Sequence, residues 1–415
     1  MKVPSPFRRR GLVPRREGAA RPRERRDRKG VALLFVITTV MFLAVFVTDI
    51  AYGARVRFLA ATHERDEAKA YWLANTGVGV YRLILTANKQ LAKSGFAQQL
   101  ANFGINAGDA LWQMVPFINT GLLRMIAGTG GDPSEDELAE VAQTGQVSDE
   151  IAAESREGTG TRFGNRNFLD FDGDFSASVR GEDCRINVNS LALRNPETPV
   201  QETPAGQQIY GLLSGEENEQ FLRDRNLDRW DLINDLADWV DTDNTVGSGK
   251  GGYEDDLYNT LESPYLAKNA KFDTLQELRL VRGWQDDIYD RFGAQLTIYG
   301  AGKVNINCAD DAVLKGLLKA YATRALTDDE LDRILADLRA YMTMATFANG
   351  KAFADWIKAN GNFEPKGDLA SAVSTSTNVF TVTSTGLVGD ATTAITTVVD
   401  YSGSSEGQVI YWRVD

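Results

Sequence analysis

The run from Val31 to Thr48, V-A-L-L-F-V-I-T-T-V-M-F-L-A-V-F-V-T, is 18 residues without a charge and is the strongest pattern in the chain. As a helix it reaches roughly 27 Å, close to the ~30 Å hydrocarbon core of a bilayer. Behind it the apolar residues spread out. Val56, Leu59, Tyr71, Leu73, Val78, Tyr81, Leu83 and Leu85 stand among polar positions, and no proline occurs between Pro22 and Pro116. That spacing predicts an amphipathic helix continuing from the apolar one to Lys93. The pattern assigns 1–30 to a leader, 31–50 to a transmembrane helix, and 51–202 to the rest of the helix and the first strands.

Patterning is weak over 95–165. Asn102 to Ile126 suggests a helix or two, and 129–164, rich in Gly, Glu and Ser, reads as a mobile loop. Asn167 to Asn189 alternates like a hairpin followed by a strand. Leu222, Leu227, Trp230, Ile233, Leu236, Ala237 and Val240 then recur at helical spacing, giving a helical subdomain over 203–291. Connecting strands fall in 292–309. A second helical subdomain covers 310–366, and Thr-rich β-branched alternation over 367–415 predicts closing strands. The fold class is α+β: helices interrupt an antiparallel sheet drawn from three stretches of chain. Cys184-Arg185-Ile186-Asn187-Val188-Asn189 also echoes Lys303-Val304-Asn305-Ile306-Asn307-Cys308. Asn189 and Asn307 are expected to cap the helices that follow.

Charge sharpens the picture. Residues 1–30 carry a net +9 and the remainder −21. The positive-inside rule puts the amino end in the cytoplasm and the acidic body outside, giving a single-pass membrane protein. A body so acidic repels phosphate backbones, which argues against nucleic acid. One His and two Cys exclude a Cys₄ or Cys₂His₂ zinc site. His63, among Glu64, Arg65, Asp66 and Glu67 on a polar helix face, reads as a surface histidine without a companion for catalysis, and the chain reads as no enzyme.

Three readings fit the amino terminus. A secretory signal has Ala51-Tyr52-Gly53-Ala54 as a passable cleavage site, but its apolar region would be shorter and helix would not continue past it. A plain anchor is the second. In the third, Lys29-Gly30 followed directly by Val31 resembles the site cut by prepilin peptidases, between Gly30 and Val31. Pilins and pseudopilins begin with such a basic leader, glycine and long helix. Most have Glu at the fifth residue after the cut, where this chain has Phe35. A subunit without that carboxylate need not dock beneath another, which suits a filament tip.

Two groups of residues could carry chemistry. Asp238, Asp241 and Asp243, then Glu254, Asp255 and Asp256, place six carboxylates within 19 residues around a Gly-rich loop containing one lysine. Ca²⁺ takes six to eight oxygens, so this is a credible calcium cage; a solvated acidic loop is the plainer alternative. Cys184 and Cys308 could pair across the sheet, or remain two buried thiols.

Linked motifs then carry a more specific resemblance. These are Leu236-Ala237-Asp238-Trp239-Val240-Asp241-Thr242-Asp243, Gly252-Tyr253-Glu254-Asp255-Asp256-Leu257-Tyr258, Phe272 to Gly283, and Gly302-Lys303-Val304-Asn305-Ile306-Asn307. With the leader and anchor they resemble the general secretion pathway protein K family, minor pseudopilins of type II secretion, over most of 180–320. The resemblance implies a pilin-type α/β domain interrupted by SAM-like helical subdomains. It implies Ca²⁺ among the six carboxylates and the absence of Glu at Phe35. It implies a place at the pseudopilus tip with minor pseudopilins I and J, contact with the inner-membrane secretion platform, and contact with secreted cargo. A type IV pilus tip subunit is the alternative in the same class. Helix-hairpin-helix DNA binding, through Leu280-Val281-Arg282-Gly283-Trp284, is the rival from another class.

Overall fold

The computed structural model describes residues 29–94, 110–123, 162–163, 166–167, 172–193, 198–247 and 252–415. Most of the basic leader and nearly all of the loop at 129–164 lie outside them. The chain divides into two units, 1–64 and 65–415.

Helix α1 covers Lys29–Lys93. In the first unit its apolar run is bare: Val31, Phe35 and Phe46 are 66%, 73% and 64% exposed. The helix is long and apolar enough to cross a membrane. In the second unit α1 becomes amphipathic. Ala70, Leu73, Ala74, Val78, Tyr81 and Leu85, three or four apart, are all buried.

That stripe packs on a five-stranded antiparallel sheet of order β1-β4-β9-β10-β11. The strands are β1 Phe117–Asn119, β4 Asp174–Gly181, β9 Val379–Val388, β10 Ala391–Asp400 and β11 Gln408–Val414. Two-residue strands β2 (Arg162–Phe163) and β3 (Arg166–Asn167) pair only with each other. Phe175, Ala177 and Val179 alternate toward the helix on β4, as do Phe380 and Val382 on β9. Their registers match, with Val179 opposite Val382 and Gly181 opposite Phe380. Helix and sheet approach closely at Gly386, where a Cβ would lie 2.0 Å from the Ala70 carbonyl.

The alternation of 174–181 belongs to one long strand paired with β1 and β9, not to a local hairpin. Within 102–126 the described residues are helical over α2 (Ala110–Met114) and again over 120–123, as the spacing suggested, with strand β1 between them, which helical spacing concealed. A three-residue edge strand is too short for periodicity to register.

Between β4 and β9 lie two helical units around a common apolar core. The first holds β5 (Ile186–Asn187), α3 (Pro204–Leu212), α4 (Glu216–Arg223), α5 (Arg229–Val240), α6 (Asp255–Tyr258), α7 (Asp286–Phe292) and β6 (Leu296–Thr297). The second holds β7 (Val304–Asn305), α8 (Asp311–Tyr321), α9 (Asp328–Met342), α10 (Gly350–Asn360), α11 (Leu369–Ala372) and β8 (Val373–Ser374). Each unit begins and ends on a strand of one parallel pair, Ile186 with Leu296 and Val304 with Val373.

The sequence echo is therefore structural, but the asparagines do other work than capping. Asn189 Oδ1 accepts from the Phe272 amide at 2.7 Å, and Asn307 Oδ1 from the Phe347 amide at 3.0 Å. Each Nδ2 donates to two carbonyls, Phe272 and Ile298 for Asn189, Phe347 and Thr375 for Asn307. They clamp the far side of each unit to its opening strand. Thr203 and Asp310 cap α3 and α8 instead.

Cys184 and Cys308 form a disulfide with Cα atoms 5.3 Å apart. Neither lies in the five-stranded sheet. Cys184 ends the 3₁₀ turn Glu182–Cys184 after β4, and Cys308 follows β7, so the bond joins the starts of the two helical units.

Candidate metal centre

Helix α5 delivers the first acids. Asp228 caps it, accepting from Trp230 and Asp231 amides at 2.8 and 3.2 Å. Leu232, Ile233, Leu236, Ala237 and Val240 bury its inner face. Asp238 is in its last turn and Asp241 is its C-cap. Both carboxylates stand at the end of the helix where exposed carbonyls already concentrate negative charge. The opposing wall is fixed by aromatic packing. Trp239 meets Tyr258 edge-on at 5.4 Å and stacks with Phe272 at 6.5 Å, which holds the turn carrying Glu254 against the helix end.

Carboxylate oxygens of Asp238, Asp241 and Glu254 lie within 4.8 Å of one another. Glu254 is fully buried, and neither of its carboxylate oxygens has a hydrogen-bond partner. Burial, then the charges of Asp241, Asp238, Asp243 and Asp255, push its pKa up to about 8. A buried, unpartnered carboxylate facing two others is costly unless a proton or a cation compensates.

The other three acids of the sequence pool do not converge there. Asp243 Oδ1 accepts from the Thr245 amide at 2.9 Å and braces the loop. Asp255 accepts from Asn244 Nδ2 at 3.2 Å and the Ala267 amide at 3.1 Å. Asp256 is exposed. Asp238 itself accepts from Gly247 N at 3.1 Å. Sequence reasoning missed Asn269, whose Nδ2 donates to the Asp243 carbonyl while its buried Oδ1 has no partner. Its left-handed backbone, φ 48°, is the local sign of a constrained position, and sequence distance from the acidic loop hid it.

Arg282, the cation of the turn weighed for phosphate contact, is bidentate to Asp235 at 2.9 and 2.6 Å. Its charge is spent within the fold. His63 is exposed on α1, in the other unit.

The architecture is a helix long and apolar enough to cross a membrane ahead of an α+β body, whose antiparallel sheet is interrupted by helical units. Residues 184–301 match the family model described as "Type II secretion system (T2SS), protein K". That span contains all six acids and one of the two cysteines. The chain is 30% identical over 124 residues to type II secretion system protein K of Pectobacterium carotovorum subsp. carotovorum, covering 29% of this chain and 34% of that protein. It is 27% identical over 164 residues to the protein of that name in Aeromonas hydrophila, covering 38% and 48%. The matched stretches thus span a third to a half of those relatives. A solved structure of the GspK-GspI-GspJ complex of enterotoxigenic Escherichia coli aligns at TM-score 0.41 and 18% identity, over 77% of this chain and 98% of that one. Residues 184–301 are thus similar to the first domain of type II secretion system protein K.

Proposed function

We propose that this chain is a minor pseudopilin at the tip of the type II secretion pseudopilus, a structural subunit that initiates or caps the filament for protein export. The observation that carries the reading is the combination of a protein K domain at 184–301 with a bare, membrane-length helix beginning beside Gly30. In this reading prepilin peptidase cuts between Gly30 and Val31, the helix waits in the inner membrane, and the body stands in the periplasm. Minor pseudopilins I and J are its partners, the inner-membrane platform drives its assembly, and secreted cargo meets its head. Phe35 supports a terminal position, because it removes the carboxylate a buried subunit would use. The test is intact mass and amino-terminal sequence of the membrane-extracted chain with and without an active prepilin peptidase, then co-purification with I and J. A chain starting at Val31 only when the peptidase is active, and retained with I and J, is expected. An uncut chain, or one found along the whole filament, overturns the reading.

Calcium belongs to the same proposal. Asp238, Asp241 and Glu254 would hold it, and two unpartnered buried oxygens on Glu254 are what a hard cation needs. Asp243, Asp255 and Asp256 would act from outside the convergent trio, and the buried Asn269 Oδ1 is a neutral donor nearby. Bound Ca²⁺ supplies positive charge, so that the carboxylates ionise together. What the chain's residues do is close α5 onto the turn at Glu254. Calorimetric titration of the full chain with Ca²⁺ tests this, and a thermal midpoint indifferent to Ca²⁺ and EGTA sinks it.

A further inference from the structure

Strand β11 ends the sheet, and among the described residues no strand pairs with its outer edge. Such edges offer a row of unpaired N–H and C=O groups, and proteins usually blunt them with proline, lysine or cover. Ile410–Val414 contain neither, and Ile410, Trp412 and Val414 are 44%, 39% and 45% exposed. A bulge at Val398/Val399 interrupts the pairing only at the start of the strand. Pairing with β10 fixes the faces. Trp412 lies opposite Thr397 and Val414 opposite Ile395, on the side of the sheet that packs α1. Tyr411 lies opposite Val398 and Arg413 opposite Thr396, on the other side.

That other side is not flat. A cleft of about 240 Å³ runs across it, between the sheet and the first helical unit, from Arg180 on β4 to Tyr411 and Arg413 on β11. Tyr289, Tyr299 and Arg185 line it too, together with the acids Glu182 and Asp273. Arg185 is 8% exposed. Its guanidinium pairs with Glu182 and donates to the Leu296 carbonyl at 3.0 Å, yet Nε has no acceptor. Arg180 is exposed and has no carboxylate partner among the described residues, and its charge helps to lower the pKa of Arg185 after burial does. Arg413 is paired only with the exposed Asp415. The two acids that line the cleft are already paired, Glu182 with Arg185 and Asp273 with Lys268, which leaves Arg180 there as a cation without a carboxylate partner among the described residues. Tyrosines and arginines in a partly desolvated recess are also the composition of protein–protein hot spots.

We propose that β11 and this cleft form one docking site, which takes an extended segment of another polypeptide as a sixth strand, with acidic residues on its cleft side and apolar residues on its other side. Backbone hydrogen bonds along β11 supply register-independent affinity, and alternate side chains supply specificity. A carboxylate opposite Arg413 reaches the cleft mouth, where Arg180 is exposed without a carboxylate partner among the described residues. Apolar residues of the added strand extend the exposed patch of Trp412 and Val414. The inference rests on the sheet edge and the cleft, and stands whether or not the tip reading holds.

The test uses the full chain in detergent and two fluorescein-labelled peptides, one alternating Glu and Val, the other Lys and Val, read by anisotropy. Saturable binding of the Glu peptide, about tenfold tighter than the Lys peptide, is expected. Arg413→Glu and Arg180→Glu, both at exposed positions, should each weaken it severalfold with an unchanged melting midpoint. Tyr411→Ala should weaken it without reversing the charge preference. No saturable binding of the Glu peptide, equal binding of both peptides, or binding unaltered in both arginine variants would overturn the proposal.

Discussion

Gly211 of α3 packs backbone to backbone on Gly316 of α8, so closely that a Cβ on Gly211 would lie 1.9 Å from the Gly316 carbonyl oxygen. These two helices open their respective units, so the crossing is where one helical unit is joined to the other. Gly211→Ala must separate them, and overpacking of a dense core costs about 1–3 kcal/mol. Urea unfolding of the full chain in detergent should show a lower midpoint with an unchanged slope. Gly367, with open space around its Cβ direction, is the control, and Gly367→Ala should be close to neutral.

Without metal, the acidic trio should make stability fall as pH rises. Glu254 has its folded-state pKa raised from 4.5 to about 8, by burial first and then by neighbouring carboxylates. Between those values the folded chain holds a proton that the unfolded chain releases, so unfolding is favoured progressively from pH 5 toward pH 8. In EGTA, the midpoint at pH 5.5 should exceed that at pH 8. Saturating Ca²⁺ should reduce or reverse the difference, and Glu254→Gln should abolish it together with the calcium response.

The Cys184–Cys308 bond closes a loop of 124 residues. In the chain-entropy picture a loop of that size contributes about 4–5 kcal/mol. The double variant Cys184→Ser/Cys308→Ser should therefore be strongly destabilised, and a reductant should lower the midpoint of the native chain while leaving the variant unmoved. Thermal melts with and without dithiothreitol check this.

Asn307→Ala should cost on the order of 3 kcal/mol, because it strands the Phe347 amide and carbonyl in a buried setting and removes a part-buried bond to the Thr375 carbonyl. Asn189→Ala should cost a similar amount by the same loss at Phe272 and Ile298. Amide exchange should accelerate at Phe347 in the first variant and at Phe272 in the second. Exchange unchanged at both would mean that the clamps are dispensable.

The sequence by itself determined what depends on local repetition. An uncharged run of membrane length, a helical stripe through Leu73, Val78, Tyr81 and Leu85, and the β-branched alternation of 379–400 each state their own structure, because neighbours in sequence share one face; Val56, Leu59 and Leu83, read into the same stripe, are exposed. The class α+β and the order of strand, helical unit, helical unit and strands followed from those patterns. The echo between Ile186-Asn187-Val188-Asn189 and Val304-Asn305-Ile306-Asn307 was visible too. What each asparagine holds was not, since Phe272 and Phe347 arrive from distant chain. The same limit governs the acidic site. Composition marked six carboxylates, but only the docking of α5 against the turn at Glu254, through Trp239 and Tyr258, decided that Asp238, Asp241 and Glu254 converge and that Asp243 and Asp255 brace the loop instead. The cleft beneath β11 was illegible for the same reason: Arg180, Arg185, Tyr299 and Tyr411 meet there because strands from both ends of the body pair into one sheet, and pairing across such distances leaves no period in the sequence to read.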